Sequence, residues 1–433
     1  MTLFSFCTKE SFLILCFYFL VSLSSIVDLG AFAPVCFLLL LVLCARKSTR
    51  TGAIVLLSMF YLPVAGLRIP NVFIFSTFIV ALVNFHYVKH AFSNVITKWI
   101  LGLYSLFLFI RFISIINVIN LSYYWNYILI SFSVFVHIVV FSCLIRRKND
   151  VAYLIMWWGI IGALSAILGY LHFIFSDFVF LRRIVSTDAL FDKATIDGSF
   201  DLVRWIWVGS EPNFTGLQLL IPLSINIGFL FRKISLNNLL LSAITMLGIL
   251  GTYSRTSFLI AIFVILLFIL MSNTKYKYWA ICIIPFAIMA VSIYFPEFIE
   301  RIYTIETAMT EGKGSGRFPL YLESFENFLE NPFLGIGAGQ TPIVSRFKLE
   351  AHNLFLQTLG ENGIVGFICL ITIFAKSLRQ AYACRKLEPV YFIALLSVFL
   401  NCNSVSAFDL RVIFSLIIII SYSCYYQKIS LIK

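Results

Sequence analysis

Charge is scarce in this chain. Only 12% of its 433 residues are Asp, Glu, Lys or Arg, whereas 61% are hydrophobic and the mean hydropathy is +0.97. Soluble domains carry about 25% charged residues, so a soluble globule is excluded. A cysteine framework is lacking too. The ten cysteines, at positions 7, 16, 36, 44, 143, 282, 369, 384, 402 and 424, lie almost entirely in or beside apolar runs, and none pairs with another in a long polar loop. That excludes a disulfide scaffold, and no Cys/His spacing suggests a zinc site. The first hydrophobic run has one basic flank, Lys9, and no small-x-small cleavage pattern, which reads as a retained span and not a signal peptide.

What the chain does contain is apolar segments of membrane-spanning length, repeated from end to end. The expected fold is an all-α polytopic membrane protein of about 12–14 spans. Candidate spans fall near 11–28, 30–45, 52–67, 72–88, 99–117, 124–145, 151–174, 214–231, 236–251, 256–273, 278–295, 363–378, 387–401 and 411–426. The net charge of +12 suggests nucleic acid at first sight, but the basic residues sit in short clusters between spans, so no nucleic-acid partner is expected. Clusters such as Arg46/Lys47/Arg50, Arg146/Arg147/Lys148, Arg232/Lys233 and Lys376/Arg379/Arg385/Lys386 fall on one face by this topology. The positive-inside bias makes that face cytoplasmic and puts both termini there.

The organisation that follows is an N-terminal bundle (1–174), a first outer loop (175–213), central spans (214–295), a large outer loop (296–362) and C-terminal spans (363–433). Outer loops of this length, with no room for a separate domain, are usually functional. In the second loop Gly312-Lys313-Gly314-Ser315-Gly316 is a flexible break, Arg317–Leu329 reads as an amphipathic helix, and Asn331-Pro332 stops it. A further helix at 353–360 leads into the next span.

Few residues here can carry chemistry. His86, His137 and His172 lie within or at the ends of spans, where packing or interhelical hydrogen bonds account for them. His90 reads as interfacial. His352 differs: it precedes a membrane re-entry in a charged loop, where an imidazole titrating near neutrality suits a general base. Arg255, in Thr252-Tyr253-Ser254-Arg255-Thr256, breaks the positive-inside pattern at an outer mouth, and guanidinium binds phosphate bidentately. Arg317 heads the loop helix. Arg204 lies between Val203 and Trp205, ahead of Glu211-Pro212-Asn213-Phe214, and tryptophan beside arginine and carboxylate suits sugar binding as well as a membrane interface. No metal-chelating Asp/Glu cluster is visible in either outer loop, and no metal or cofactor is expected.

The Tyr253-Ser254-Arg255 run at a span start, Gly316-Arg317 followed by a helix ending Asn331-Pro332-Phe333-Leu334-Gly335-Ile336-Gly337, and His352-Asn353 separated by nine residues from Gly363-x-x-Gly366 resemble the O-antigen ligase/O-antigen polymerase superfamily. The resemblance covers roughly 200–380. It implies a metal-independent membrane glycosyltransferase whose donor is an undecaprenyl-diphosphate-linked glycan, acting with inversion. By the same resemblance Arg255 and Arg317 would bind the donor diphosphate, and His352 would deprotonate the acceptor hydroxyl. Arg204, Glu211, Asn213, Tyr253, Asn353 and Glu361 are the expected substrate-binding residues.

Polymerase and ligase need the same clamp and base, so these motifs do not separate them. The Ser210-Glu211-Pro212-Asn213 element and the extra arginines Arg182, Arg183 and Arg204 favour a polymerase in the bacterial inner membrane, with lipid-linked oligosaccharides and a chain-length regulator as partners. A ligase that transfers glycan to lipid A–core is the alternative. A transporter or flippase is a third reading, for which Arg111 and Asp28 are the intramembrane candidates.

Overall fold

The computed structural model describes residues 9–26, 32–61, 69–88, 94–175, 191–196, 200–205, 212–271, 289, 292–293, 296, 317–386, 388–405 and 410–432. The expected span at 278–295 and the break at 312–316 thus lie almost wholly or wholly outside the described residues. The helices are α1 (Lys9–Ile26), α2 (Phe32–Lys47), α3 (Thr49–Ser58), α4 (Ile69–Val83), α5 (Phe85–Val88), α6 (Lys98–Ile113), α7 (Leu121–Leu144) and α8 (Lys148–Phe175) in the first part. After them come α9 (Pro212–Arg232), α10 (Leu236–Gly251), α11 (Arg255–Met271), α12 (Phe318–Glu330), α13 (Thr341–Val344), α14 (Leu354–Ala383), α15 (Pro389–Asn401) and α16 (Arg411–Ile432). Among the described residues five of these are long and apolar enough to cross a membrane, and five more are apolar but shorter. The chain is an all-α polytopic membrane protein, as its composition requires.

One element departs from that class. Within the first polar loop, β1 (Phe191–Ile196) and β2 (Phe200–Trp205) pair antiparallel, with Asp192 opposite Arg204 and Phe191 opposite Trp205. Asp197-Gly198 lies between the two runs, which is a usual sequence signal for a hairpin.

The core of the bundle is α9. Its residues Pro212 to Gly228 are buried, and it packs against α8, α10, α11 and α15. Arg232 at its C-terminus pairs with Glu388, which lies just before α15. The start of α9 and the end of α15 therefore share the other end of the bundle. The turns α10–α11 and the start of α14 lie there too, because Ser254 bonds Asn213 and Leu354 bonds Cys402.

The second polar loop forms a plate over that end. α12, with an apolar stripe through Leu320 and a polar one through Glu323, ends at Asn331-Pro332 as expected. The 332–340 loop then lies backbone to backbone on α14: Ile336 N donates to Gly360 O (3.0 Å), Gly337 N to Glu361 O (3.1 Å), and Ile364 N to Pro332 O (2.8 Å). This contact requires glycine. Gly363 takes φ 63°, ψ −169° and breaks α14 in two, and any Cβ on it would fall on the backbone of Phe333 and Leu334. Gly335, at φ 69°, faces the backbone of Glu361 and Asn362 in the same way. The plate is also tied to the α6–α7 turn. Asn117 Nδ2 donates to Gly335 O (2.7 Å), and Gln340 Oε1 accepts from the amides of Ile119 (3.1 Å) and Asn120 (2.8 Å).

Candidate active site

Arg255, Arg317 and the residues around His352 converge on one turn, 401–404, at the C-terminus of α15. The Arg317 guanidinium donates to Ser404 O at 3.0 Å. Leu354 N, two residues past His352, donates to Cys402 O at 2.9 Å. Asn401 Nδ2 donates to Ser257 Oγ at 2.8 Å, and Ser257 Oγ lies 3.0 Å from Ser254 Oγ, so the two hydroxyls that flank Arg255 are bound to the same turn. Ser254 Oγ donates in turn to Asn213 Oδ1 at 2.7 Å, which adds the start of α9. Asn213, Ser254, Ser257, Asn401 and Ser404 are all buried. The polar chain is short, water-excluded and bonded from member to member, which gives rigidity in a low-dielectric setting.

The two guanidiniums lie within electrostatic range of each other. Arg255 is partly buried, and the charge of Arg317 acts on it. Like charges held within range repel, and an anion between them relieves the repulsion as well as accepting hydrogen bonds. Chemically, such an arrangement accommodates a diphosphate.

His352 and Tyr253 share an uncommon backbone geometry. Each has a left-handed φ, 49° for His352 and 48° for Tyr253, and each stands one residue before a helix-starting side chain. Asn353 Oδ1 accepts from the amides of Phe355 (3.0 Å) and Leu356 (3.1 Å), and Ser254 Oγ accepts from Ser257 N (3.4 Å). The caps fix the helix starts and leave the preceding residue to make the sharp turn. For residues as bulky as His and Tyr this conformation is strained, and such strain concentrates at functional sites.

The remaining expected site residues are placed unevenly. Asn213 and Asn353 are at the site, but their amide oxygens are committed to Ser254 and to the α14 cap, so they support the site from within. Arg204 lies on β2, opposite Asp192, and its side chain and Glu211 lie outside the described residues. Glu361 requires a correction. Its side chain is fully buried, and its Oε1 accepts from Thr341 Oγ1 (2.9 Å) and Gln357 Nε2 (3.0 Å). A carboxylate enclosed in this way braces the helix break and does not meet substrate. Arg111, the intramembrane candidate of the transporter reading, serves the same brace. Its Nε donates to Asn362 Oδ1 (3.1 Å), another guanidinium nitrogen to Ser131 Oγ (2.5 Å), and a third lies 3.8 Å from Glu361 Oε2. His137 is a packing residue, as expected: buried, 2.8 Å from Ser415 Oγ and stacked on Phe141.

Sequence reasoning missed Ser257, Asn401 and Ser404. A signal was present in the polar run Asn401-Cys402-Asn403-Ser404 at the end of an apolar span, but only the fold shows what it touches.

Fold and site together define a polytopic membrane protein with paired arginines and a histidine-bearing turn at one end of its bundle. Residues 240–371, a segment that includes Arg255, Arg317 and His352, match the family model described as O-antigen ligase. The match supports the O-antigen ligase/polymerase superfamily, and with it a membrane glycosyltransferase type of enzyme. No curated protein matches the chain.

Proposed function

We propose that this protein is a polysaccharide polymerase that moves a glycan from undecaprenyl diphosphate to the non-reducing-end sugar of a new lipid-linked repeat. The reaction takes place at the periplasmic face of the bacterial inner membrane. The observation that carries this reading is the convergence of Arg317, the Ser254–Ser257 turn of Arg255 and the His352 turn on residues 401–404.

In the reaction, the acceptor hydroxyl gives its proton to His352 as its oxygen forms a bond to the anomeric carbon. The bond from that carbon to the diphosphate oxygen breaks on the opposite side, and the configuration inverts. Negative charge grows on the departing lipid diphosphate, where Arg255 and Arg317 stabilise the transition state more than the ground state. No metal is needed for that step when two fixed guanidiniums supply the charge.

The orientation rests on the basic clusters. Arg232 at the end of α9, Arg50 before α3's first turn closes and Arg146 beyond α7 all lie at the end of the bundle away from Arg255 and Arg317, which suits a cytoplasmic face there and cytoplasmic termini. A ligase acting on lipid A–core is the second reading, favoured by the description of the matched family.

Alanine at His352, Arg255 or Arg317 is expected to abolish long chains at wild-type protein levels. Full chain length in all three variants overturns the enzyme reading. Deleting the gene separates the two activities: a single repeat still attached to core marks a polymerase, and loss of all attachment marks a ligase.

A further inference from the structure

At the opposite end of the bundle two cavities adjoin, and both are lined by Tyr87 and Arg146. One, of about 340 Å³, is lined by Ser48, Thr49, Arg50, Arg146 and Arg147. The other, of about 300 Å³, is lined by Asn94, Ile96, Ser142, Ile145, Tyr422 and Tyr426. Each is of the size that small ligands occupy.

The first chamber suits an anion. It also contains two carboxylates, but both are already engaged. Glu10 accepts from Arg50 Nε at 2.7 Å, and Asp150 Oδ2 accepts from the backbone amides of Arg146 (3.0 Å) and Arg147 (2.8 Å). Neither carboxylate pairs with the guanidinium of Arg146 or Arg147, and among the described residues neither guanidinium forms an ion pair. The Arg146 guanidinium carbon sits over the Tyr87 ring, 4.2 Å from its centroid. A cation–π contact uses none of a guanidinium's N–H donors, which remain able to grip phosphate. The start of α3 adds the positive end of a ten-residue helix, capped by Ser48, whose Oγ accepts from Thr51 N at 3.2 Å.

The second chamber decides what sort of anion. A site for free phosphate needs only the charged chamber. Here a second space of mixed aromatic, aliphatic and polar lining adjoins it, between the α7–α8 turn and the later turns of α16, at the end of the membrane-spanning helices. We propose that the joined cavities hold the headgroup of an anionic phospholipid, its phosphate on Arg146, Arg147 and the α3 N-terminus and its glycerol in the chamber of Ile96 and Ile145. Arg146 and Arg147 are exposed, as ordinary positive-inside arginines are, but they line a cleft that also holds a helix start, and the proposed recognition adds to bulk surface charge. The inference is independent of the glycan chemistry at the other end.

Native mass spectrometry of the purified full-length protein tests it, with dioleoyl phosphatidylglycerol, dioleoyl phosphatidylcholine and inorganic phosphate as probes. The expected result is retention of phosphatidylglycerol over phosphatidylcholine, with millimolar phosphate failing to displace it. Replacing Arg146 and Arg147 with Gln is expected to weaken phosphatidylglycerol binding about 25-fold, at about fivefold per basic residue near an anionic surface. Where the glutamine pair fails to fold, lysine at both positions serves, and loss of the planar donors then weakens binding by a smaller factor. Equal retention of the two lipids, unchanged binding by the variants, or full displacement by phosphate overturns the proposal, the last by making the site one for a free ion.

Discussion

Asn401 Nδ2 donates to Ser257 Oγ across 2.8 Å, half a helical turn beyond Arg255, while Ser404 three residues on receives Arg317. One short turn therefore sets the relation of both arginines. Replacing Asn401 with Ala removes the donor to the buried Ser257 hydroxyl and the side-chain acceptor of Ser404 Oγ, at a cost of about 1–3 kcal/mol. The expected outcome is a loss of turnover, with Asn401→Ala and Ser257→Ala together costing less than the sum of the two. A thermal-melt and activity double-mutant cycle measures this, and strict additivity would show that the two side chains do not act as a unit.

The Gly-x-x-Gly of the re-entry was legible as a place where backbone comes close, but not what comes close. The structure shows that the partner is the chain's own 332–337 loop. Alanine at Gly363 must adopt φ 63° and place its Cβ 2.6 Å from Leu334 N, so a loss of stability above about 2 kcal/mol is expected. Gly102 is the control. It lies within α6 with nothing near its would-be Cβ, and alanine there is expected to be neutral or stabilising by about 0.5–1 kcal/mol. Melting temperatures of the two variants decide the matter. An equal effect at both sites removes the close-approach argument.

Hydropathy and cap signals carried most of the fold: the spans near 99–117, 124–145, 214–231 and 236–251 correspond to α6, α7, α9 and α10, and the Asn331-Pro332 stop ends α12 where expected. Those features are local, fixed by periodicity and by which residues can start or stop a helix. Long-range relations were not legible. Glu361 looked like a loop carboxylate because it is polar and close in sequence to His352, yet the break at Gly363 turns it into the interior. Arg111, read as a possible pathway charge, is its partner from 250 positions earlier. The hairpin was missed because its two runs do not alternate cleanly: Lys193 follows Asp192 and Val203 follows Leu202.

That pair yields a signed prediction. Arg111 and Glu361 have 14% and 0% of their side chains exposed, and among the described residues Glu361 Oε2 has no hydrogen-bond partner, so Arg111 is the group that balances it. Removing one partner of a buried pair costs about 3–5 kcal/mol, whereas removing both with shape kept costs far less. Arg111→Met is therefore expected to lower the melting temperature sharply, and Arg111→Met with Glu361→Gln to recover part of the loss. A double variant that melts below Arg111→Met would contradict the brace.

His352 offers a way to separate chemistry from backbone. Its φ of 49° lies where glycine is at ease and a side chain is strained. Ala and Gly at this position both delete the imidazole and any contact its ring makes, so both are expected to lose about 10²–10⁴-fold in single-turnover transfer from a lipid-linked repeat, the usual size of a general base. Their stabilities should differ. Alanine inherits the left-handed strain and glycine does not, so the Gly variant is expected to be more stable than the Ala variant by about 0.4–1 kcal/mol, in spite of glycine's greater freedom when unfolded. Transfer by either variant at the wild-type rate removes the base role from His352. A Gly variant that melts below the Ala variant leaves the role untouched and shows that the turn before Asn353 is held by something other than its backbone.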